Sequence, residues 1–233
     1  MEAIILTSLS FGFTVGLMHA FDPDHVVAMS TMVSRERSIR RSSLLGAIWG
    51  LGHTTSLALV GLAVLALQLT IPPSLSKGME LAVAMMIVAL GGHLIWQSAK
   101  ELRLHRRTHS HDGPEHTHVH LHSNSDPIGH YHHVSRSHKK TFAIGIIHGL
   151  AGSAALTLAV MTSMTSAMQG LLYILVFGLG SIGGMLLMSA LMSMPFAVLG
   201  KWVSGWQRPA QGMIGMLAVS FGLYFAWSVG MST

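Results

Sequence analysis

The chain of 233 residues contains no cysteine, so it forms no disulfide and offers no thiolate to a metal ion. Any metal site must therefore use histidine, carboxylate, methionine or backbone groups. Charged side chains make up only 10% of the residues, apolar ones make up 50%, and the mean hydropathy is +0.53. This scarcity of charge excludes an ordinary soluble domain of this length and predicts an integral membrane protein.

Long apolar runs recur along the chain, each sufficient to cross a hydrocarbon layer of about 30 Å, which takes about 20 helical residues. The six runs cover residues 3–31, 43–69, 78–99, 141–164, 170–199 and 210–231. The first run opens with an acidic Met-Glu-Ala segment and has no convincing cleavage site. We therefore expect it to remain as a membrane helix instead of being removed as a signal peptide. The sequence predicts an all-α membrane protein with six transmembrane helices.

The basic residues fall on one side of this predicted arrangement. Of the 14 lysines and arginines, all but Lys77 lie in the loops that follow the first, third and fifth spans. The positive-inside rule makes these loops cytoplasmic and places both termini outside. The net charge of +5 is therefore a topology signal for a multi-pass protein of the cell inner membrane. We expect contact with the lipid bilayer and no nucleic-acid binding.

Two pairs of short segments share small, glycine-containing patterns. They are TVGLMHA at 14–20 with AIGIIHG at 143–149, and GLGHTTS at 50–56 with GLGSIGG at 178–184. The first match pairs His19 with His148 at an offset of 129 residues, and the second pairs His53 with Ser181 at an offset of 128. Because the two offsets agree, the matches predict an internal repeat.

Each half of this repeat holds three spans, an odd number, so the two halves must cross the membrane in opposite directions. This inverted 3+3 plan is common in secondary transporters, whose substrates bind near the membrane midplane at the repeat interface. We predict a first repeat at residues 1–99, a cytoplasmic histidine-rich loop at 100–140 and a second repeat at 141–233.

The segment HAFDPDH, residues 19–25, places histidines and aspartates inside an apolar run. An ionisable side chain near the middle of a membrane helix costs at least about 2.5 kcal/mol, so such groups normally face a cavity and have a function. Pro23 lacks a backbone donor and disfavours helical dihedrals at the residue before it. We therefore expect the first helix to break or kink within residues 21–24. The break would let four side chains converge, namely His19, Asp22, Asp24 and His25.

Two imidazoles with one or two carboxylates suit Ni²⁺, Co²⁺ or Zn²⁺ better than Cu⁺ or Mg²⁺. We predict these four side chains as ligands of a transported divalent ion, with no cofactor beyond that ion. His53 in LGHTTS and His148 in HGLAGS are predicted as further contributors to the metal path. The alternative is structural: histidine and aspartate hold a helix kink, or the two lone histidines are satisfied within the core.

The segment 105–138 carries eleven of the 16 histidines and almost no core-forming residues. We expect it to be disordered without metal and to chelate borderline divalent metals on the cytoplasmic side. Its alternating HTHVHLH pattern at 116–122 is compatible with strand pairing, and an acid-sensing role is a further alternative. The loop suits either a buffer for incoming metal or a collector of metal for export. A cytoplasmic protein that delivers metal is a candidate partner.

These motifs resemble those of the nickel/cobalt permeases. The hallmark of that family is a histidine, four residues and then Asp-His, matched by His19, Asp24 and His25, and its second motif is similar to LGHTTS with His53. The segment HGLAGSAAL at 148–156 is similar to that of the compact six-span branch, which is associated with urease maturation and metal export. The resemblance implies passage of nickel or cobalt. The acidic motifs that larger members carry in their second half have no counterpart here.

We therefore expect a secondary-type permease for divalent nickel or cobalt, not an enzyme, with uptake favoured over export. Export, with the loop collecting cytoplasmic metal, is the main alternative. A membrane metal sensor or store is a further one. The last alternative is an acyltransferase, because glycerolipid acyltransferases carry a His-x4-Asp pattern in which histidine is a general base. That alternative leaves His53 and His148 without a role.

Overall fold

The computed structural model describes residues 2–67, 71–101, 105–109, 116–120, 134–150, 167–202 and 206–231. This part of the chain contains seven helices and two strands. They are α1 (Glu2–His19), α2 (Pro23–Val33), α3 (Ile39–Leu67), α4 (Pro73–Glu101), β1 (His105–His109), β2 (His116–His120), α5 (Val134–Gly149), α6 (Ala167–Trp202) and α7 (Gln207–Met231).

Four of these helices are long and apolar enough to cross a membrane. Their spanning segments are Ile39–Val64, Pro73–Lys100, Met168–Leu199 and Gln207–Met231. They coincide with the second, third, fifth and sixth predicted spans, so the prediction of a helical, multi-pass membrane protein is confirmed. The predicted fourth span begins in α5, and its residues beyond Leu150 lie outside the described part of the chain.

The predicted first span is divided into two helices. α1 ends at His19, and α2 begins with Pro23 at the position where its missing N–H costs no helical hydrogen bond. Asp22 takes φ −58° and ψ 144°, the extended conformation favoured before proline. Its N–H donates to the His19 carbonyl oxygen (3.1 Å), and its own carbonyl accepts from Val26 (3.0 Å). The interruption predicted from Pro23 is therefore confirmed.

The helices pack in close pairs. α1 and α3 both lie against α6, α3 also lies against α5, and α4 lies against α7. Glycine permits these approaches: a Cβ on Gly16 of α1 would collide with the Phe177 backbone of α6, and one on Gly145 of α5 would collide with the Trp49 backbone of α3. Small residues at such crossings are typical of helices packed within a membrane.

Apolar side chains cover much of the outside of the bundle, whereas several histidines lie inside it. Leu59, Leu179 and Leu217 are each more than 60% exposed, as expected for a surface that faces lipid. His25, His53 and His148 are fully buried. The bundle therefore places three histidines in its interior.

β1 and β2 pair as antiparallel strands, with His105 opposite His120 and His109 opposite His116. The expectation of a disordered loop is wrong for these ten residues. The alternation of histidine with other residues in β2 suits a strand, in which every second residue lies on the same face. Residues 110–115 and 121–133 lie outside the described part of the chain.

Candidate metal site

The helix break brings together all six side chains that the sequence singled out as metal-site residues. They lie on the last turn of α1 (His19), in the break (Asp22), on the first turn of α2 (Asp24 and His25), on α3 (His53) and on α5 (His148). The exposed fraction of the side chain falls from 47% at Asp22 to 17% at Asp24 and 9% at His19, and is zero at the remaining three histidines. The cluster thus runs from a partly exposed edge into the fully buried interior.

On the exposed side, His19 contacts one group through each ring nitrogen. Its Nδ1 lies 2.7 Å from Asp22 Oδ2, and its Nε2 lies 3.2 Å from His53 Nε2. A carboxylate on one imidazole nitrogen fixes the ring and raises the basicity of the other nitrogen, an arrangement usual around metal-bound histidines. Asp22 therefore orients the His19 ring, and the Nε2 atoms of His19 and His53 face each other.

On the buried side, Asp24 joins two imidazoles. Its Oδ1 lies 3.0 Å from His25 Nδ1 and accepts the His25 backbone N–H at 2.9 Å, while its Oδ2 lies 2.9 Å from His148 Nε2. Both carboxylate oxygens are thus engaged, and Asp24 links α2 to α5. The sequence predicted Asp24 and His25 as near neighbours, but it did not indicate that His148 would contact Asp24 directly.

Three imidazole nitrogens of the cluster lack hydrogen-bond partners within the described part of the chain. They are His25 Nε2, His53 Nδ1 and His148 Nδ1, all completely buried. Buried polar atoms are nearly always satisfied in folded proteins, so an unpaired group calls for an explanation such as an ion or a water molecule. These nitrogens are donors to a metal ion when neutral.

Among the described residues, two groups of side chains are close enough to hold a metal ion. In the first, one ligand atom each from His19, His25 and His53 lies within 4.8 Å of the others; in the second, the same holds for Asp24, His25 and His148. Imidazole with carboxylate suits a borderline divalent cation. Five of the six predicted metal-site residues thus fall into two sets that share His25, and Asp22 belongs to neither set.

Two aromatic side chains that the sequence did not single out border the cluster. The Trp49 ring lies 5.3 Å from that of His25 and 5.2 Å from that of His148, and the Phe177 ring lies 5.5 Å from that of His19, between centroids. Trp49 precedes His53 by four residues, so both share one face of α3. The spacing of four residues could therefore have indicated from the sequence that Trp49 lies beside the cluster. Phe177 lies 128 residues after Trp49, at the repeat offset.

Helix ends contribute to the electrostatics of the cluster. His19 lies in the last turn of α1 and Asp24 in the first turn of α2. The carboxyl end of a helix favours positive charge and the amino end favours negative charge. The break therefore stabilises the Asp24 carboxylate at the start of α2 and a cation beside His19.

His93 lies apart from these contacts. Its Nε2 is 2.8 Å from Gln97 Nε2, and its ring stacks on Trp96 at 5.9 Å. Gln97 also accepts a hydrogen bond from Arg35. His93 therefore belongs to a polar contact between the ends of α2 and α4.

Residues 3–222 match the NicO family, described as high-affinity nickel-transport protein. The chain belongs to the NicO family. The match covers nearly all of the chain, so the resemblance to nickel/cobalt permeases is confirmed at the level of the family. Because NicO proteins are transport proteins, the prediction of a transporter instead of an enzyme is also confirmed.

Curated relatives of this NicO chain include bacterial and plant proteins. The chain is 36% identical over 228 residues to the urease accessory protein UreH of Bacillus sp. (strain TB-90), covering 98% of this chain and 94% of UreH. It is 27% and 25% identical to the chloroplast proteins FOR GROWTH AND FERTILITY 2 and 1 of Arabidopsis thaliana, over 76% of this chain. It spans 45% and 47% of the length of those two plant proteins. No solved structure matches the chain.

Proposed function

We propose that this NicO protein is a secondary-type permease that moves divalent nickel or cobalt across the inner membrane. The observation that carries the proposal is the cluster at the helix break: four imidazoles and Asp24 with ligand atoms in sets within 4.8 Å, and Asp22 against His19. Burying ionisable groups in a membrane bundle is costly, so such a cluster needs a function. The metal residues of the proposal are His19, Asp22, Asp24, His25, His53 and His148.

The contacts favour different roles for the two carboxylates. Asp22 contacts an imidazole nitrogen from the partly exposed side, 2.7 Å from His19 Nδ1, so it orients that ring and attracts a cation. Asp24 lies between His25 and His148, where its charge offsets that of an ion in low dielectric. The ion is the substrate, and the chain needs no further cofactor for this task.

An inverted 3+3 repeat of six membrane helices, at 1–99 and 141–233 around the loop 100–140, is the proposed architecture. Helix pairing supports it, because α1 packs on α6 as its counterpart α5 packs on α3. The contact of Gly16 with Phe177 has its equivalent in that of Gly145 with Trp49. These equivalents lie 129 and 128 residues apart, the offsets of the repeat in the sequence.

A second pair of contacts supports the same two-fold relation. Gly52 of α3 lies against the Phe142 backbone of α5, and Gly180 of α6 lies against the Phe13 backbone of α1. His53 follows Gly52, and Ser181 follows Gly180. The two-fold axis would therefore relate His19 to His148 and His53 to Ser181. Rocking of one half against the other about this axis would expose the cluster alternately to each side.

Contacts between helix ends support cytoplasmic placement of the basic loops. Arg37, between α2 and α3, donates to Gln207 at the start of α7 (3.1 Å), and Ser98 near the end of α4 donates to the Arg208 carbonyl oxygen (2.8 Å). Three basic segments thus meet at one end of the bundle. With the positive-inside rule, both termini lie outside, and the histidine-rich loop is cytoplasmic and accessible to a metal-delivery protein.

Uptake is the proposed direction, and export is the second candidate because eleven histidines lie in the loop at 105–138. Cellular nickel and cobalt content with and without the protein decides between them. A rise on expression supports uptake, and a fall supports export.

Flux into proteoliposomes tests the permease itself. We expect nickel and cobalt to enter vesicles containing the wild-type protein, and His19→Ala or Asp24→Ala to abolish entry while the protein stays folded. His93→Ala is the matched control, since His93 lies in a membrane helix away from the cluster, and its flux should equal that of wild type. Binding without flux in the wild type would instead indicate a metal store or sensor, and wild-type flux in both cluster variants would refute the site.

A further inference from the structure

Five of the six side chains of the cluster form two alternative ion positions, not one. We infer that the ion binds first between His19, His25 and His53, the outer set, and then passes to Asp24, His25 and His148, the inner set. The inference rests on the proposed function, because it concerns the route of the same transported ion. It adds an intermediate position, a shared ligand and an order of events.

The two nitrogens of His25 distinguish the sets. Its Nδ1 lies 3.0 Å from Asp24 Oδ1, on the side of the inner set, whereas its Nε2 is buried without a hydrogen-bond partner in the described part of the chain. The nitrogens of an imidazole point away from each other, so one ring cannot offer both to the same ion. His25 therefore presents Nε2 to the outer set and Nδ1 to the inner set.

The outer set already has a spacing that suits an ion. His19 Nε2 and His53 Nε2 are 3.2 Å apart. Two imidazoles that each bind one ion at about 2.0 to 2.1 Å at a near-tetrahedral angle have nitrogens about 3.3 Å apart. An ion between these rings would thus need little rearrangement, and Asp22 on His19 Nδ1 holds that ring in place.

The two sets differ in charge and in their contact with Asp22, the most exposed side chain of the cluster. Each set has two fully buried histidines and one partly exposed side chain, His19 at 9% or Asp24 at 17%. His19 of the outer set contacts Asp22, of which 47% is exposed, so an ion that enters at Asp22 reaches the outer set first. Only the inner set contains a carboxylate, the countercharge that a divalent ion in low dielectric needs.

The inner set also joins the two halves of the chain. Asp24 and His25 belong to α2 in the first half, and His148 belongs to α5 in the second. The outer set lies entirely in the first half. Transfer across His25 thus moves the ion from ligands of one half to ligands shared by both, which links ion position to the relative movement of the halves.

The absence of native cysteine allows each set to be read separately with Co²⁺. A thiolate bound to Co²⁺ gives an intense charge-transfer absorption that imidazole and carboxylate do not, so histidines in the loop at 105–138 do not contribute. His53→Cys reports the outer set and His148→Cys reports the inner set, in the purified full chain. Ser193→Cys is the control, because Ser193 is buried in α6, sixteen residues or about 24 Å beyond Phe177.

Adding His19→Ala to each reporter separates the two sets. We expect both reporters to give the thiolate band and the control to give none. His19→Ala should weaken Co²⁺ binding at least about tenfold in the His53→Cys protein and leave it within about twofold in the His148→Cys protein. Adding His25→Ala should weaken both bands, because His25 belongs to both sets.

Equal loss of both bands on His19→Ala would overturn the inference in favour of one shared position, while leaving the permease intact. Absence of a band in both reporters would also overturn it. Wild-type cobalt flux, measured in parallel, then shows whether the proposed function fails as well. If His53→Cys does not fold, as judged by gel filtration, His19→Cys with His53→Ala replaces it, since His19 is less buried.

Discussion

The two halves of the chain place a histidine at the same point but surround it with different side chains. In the first half His19 precedes Asp22, Asp24 and His25, whereas the equivalent positions after His148 are Ala151, Ser153 and Ala154. His53 likewise has Ser181 as its counterpart. Under the proposed two-fold relation, both copies keep the helix packing, whereas the proposed ligands come mainly from the first half and the second half adds one imidazole.

His25→Ala should have the largest effect, because His25 has no equivalent in the second half and belongs to both ligand sets. We expect nickel flux into proteoliposomes to fall at least about 100-fold. His93→Ala, prepared in parallel, should keep wild-type flux. If His25→Ala transports at more than about a tenth of the wild-type rate, the first half does not hold the ion through this residue.

The two carboxylates of the first half should differ in importance, because Asp24 contacts two imidazoles and Asp22 contacts one from a partly exposed position. We expect initial nickel flux to fall about 100-fold in Asp24→Asn and about tenfold in Asp22→Asn. Both substitutions keep the side-chain volume, so each is a control for the other. The reverse order would assign the countercharge to Asp22.

The contribution of helix packing to stability should be equal in the two halves, although their proposed metal ligands differ. Gly16→Ala and Gly145→Ala each place a methyl group against a backbone carbonyl oxygen, of Phe177 and Trp49 respectively. We expect each to destabilise the protein by about 1 to 3 kcal/mol, measured by thermal unfolding in detergent. Gly92→Ala, where the structure places nothing within 4 Å of an added Cβ, should change little. A cost in only one half would argue against the two-fold relation.

The loop between the halves should matter least for flux. Replacing its eleven histidines by glutamine should leave proteoliposome flux close to that of wild type, because these histidines lie outside the predicted spans, and segments between packed elements tolerate substitution. The nickel resistance of cells that express this variant, measured as growth in excess nickel, reports the role of the loop. Lost resistance with unchanged flux would indicate that the loop collects metal for export.

The sequence was sufficient to predict the cluster of histidines and aspartates at the helix break because its signals are local. Pro23 predicted the helix break, and two acids beside two histidines in an apolar run predicted the cluster. Long apolar runs predicted the helices α3, α4, α6 and α7 within a few residues. Each signal depends on neighbours in the chain or on a length set by the membrane.

Contacts between distant segments were beyond the reach of such local signals. The distance of 2.9 Å between His148 Nε2 and Asp24 Oδ2 joins residues 124 positions apart, on α5 and α2. The contacts of Trp49 with His25 and His148 likewise join α3 to α2 and α5. The grouping of five side chains into two sets depends on the orientation of each imidazole, which residue spacing does not fix.

Nickel binding and nickel flux, measured on one preparation of His148→Ala, test the asymmetry of the two halves most directly. Replacing the eleven loop histidines by glutamine in the same chain removes binding outside the membrane bundle. We expect His148→Ala to bind nickel with an affinity within about threefold of its parent, because His19, His25 and His53 remain. Its flux should fall at least about tenfold, because the inner set loses its second-half ligand. Binding and flux that fall together, or flux that stays at the parental rate, would contradict this division of roles.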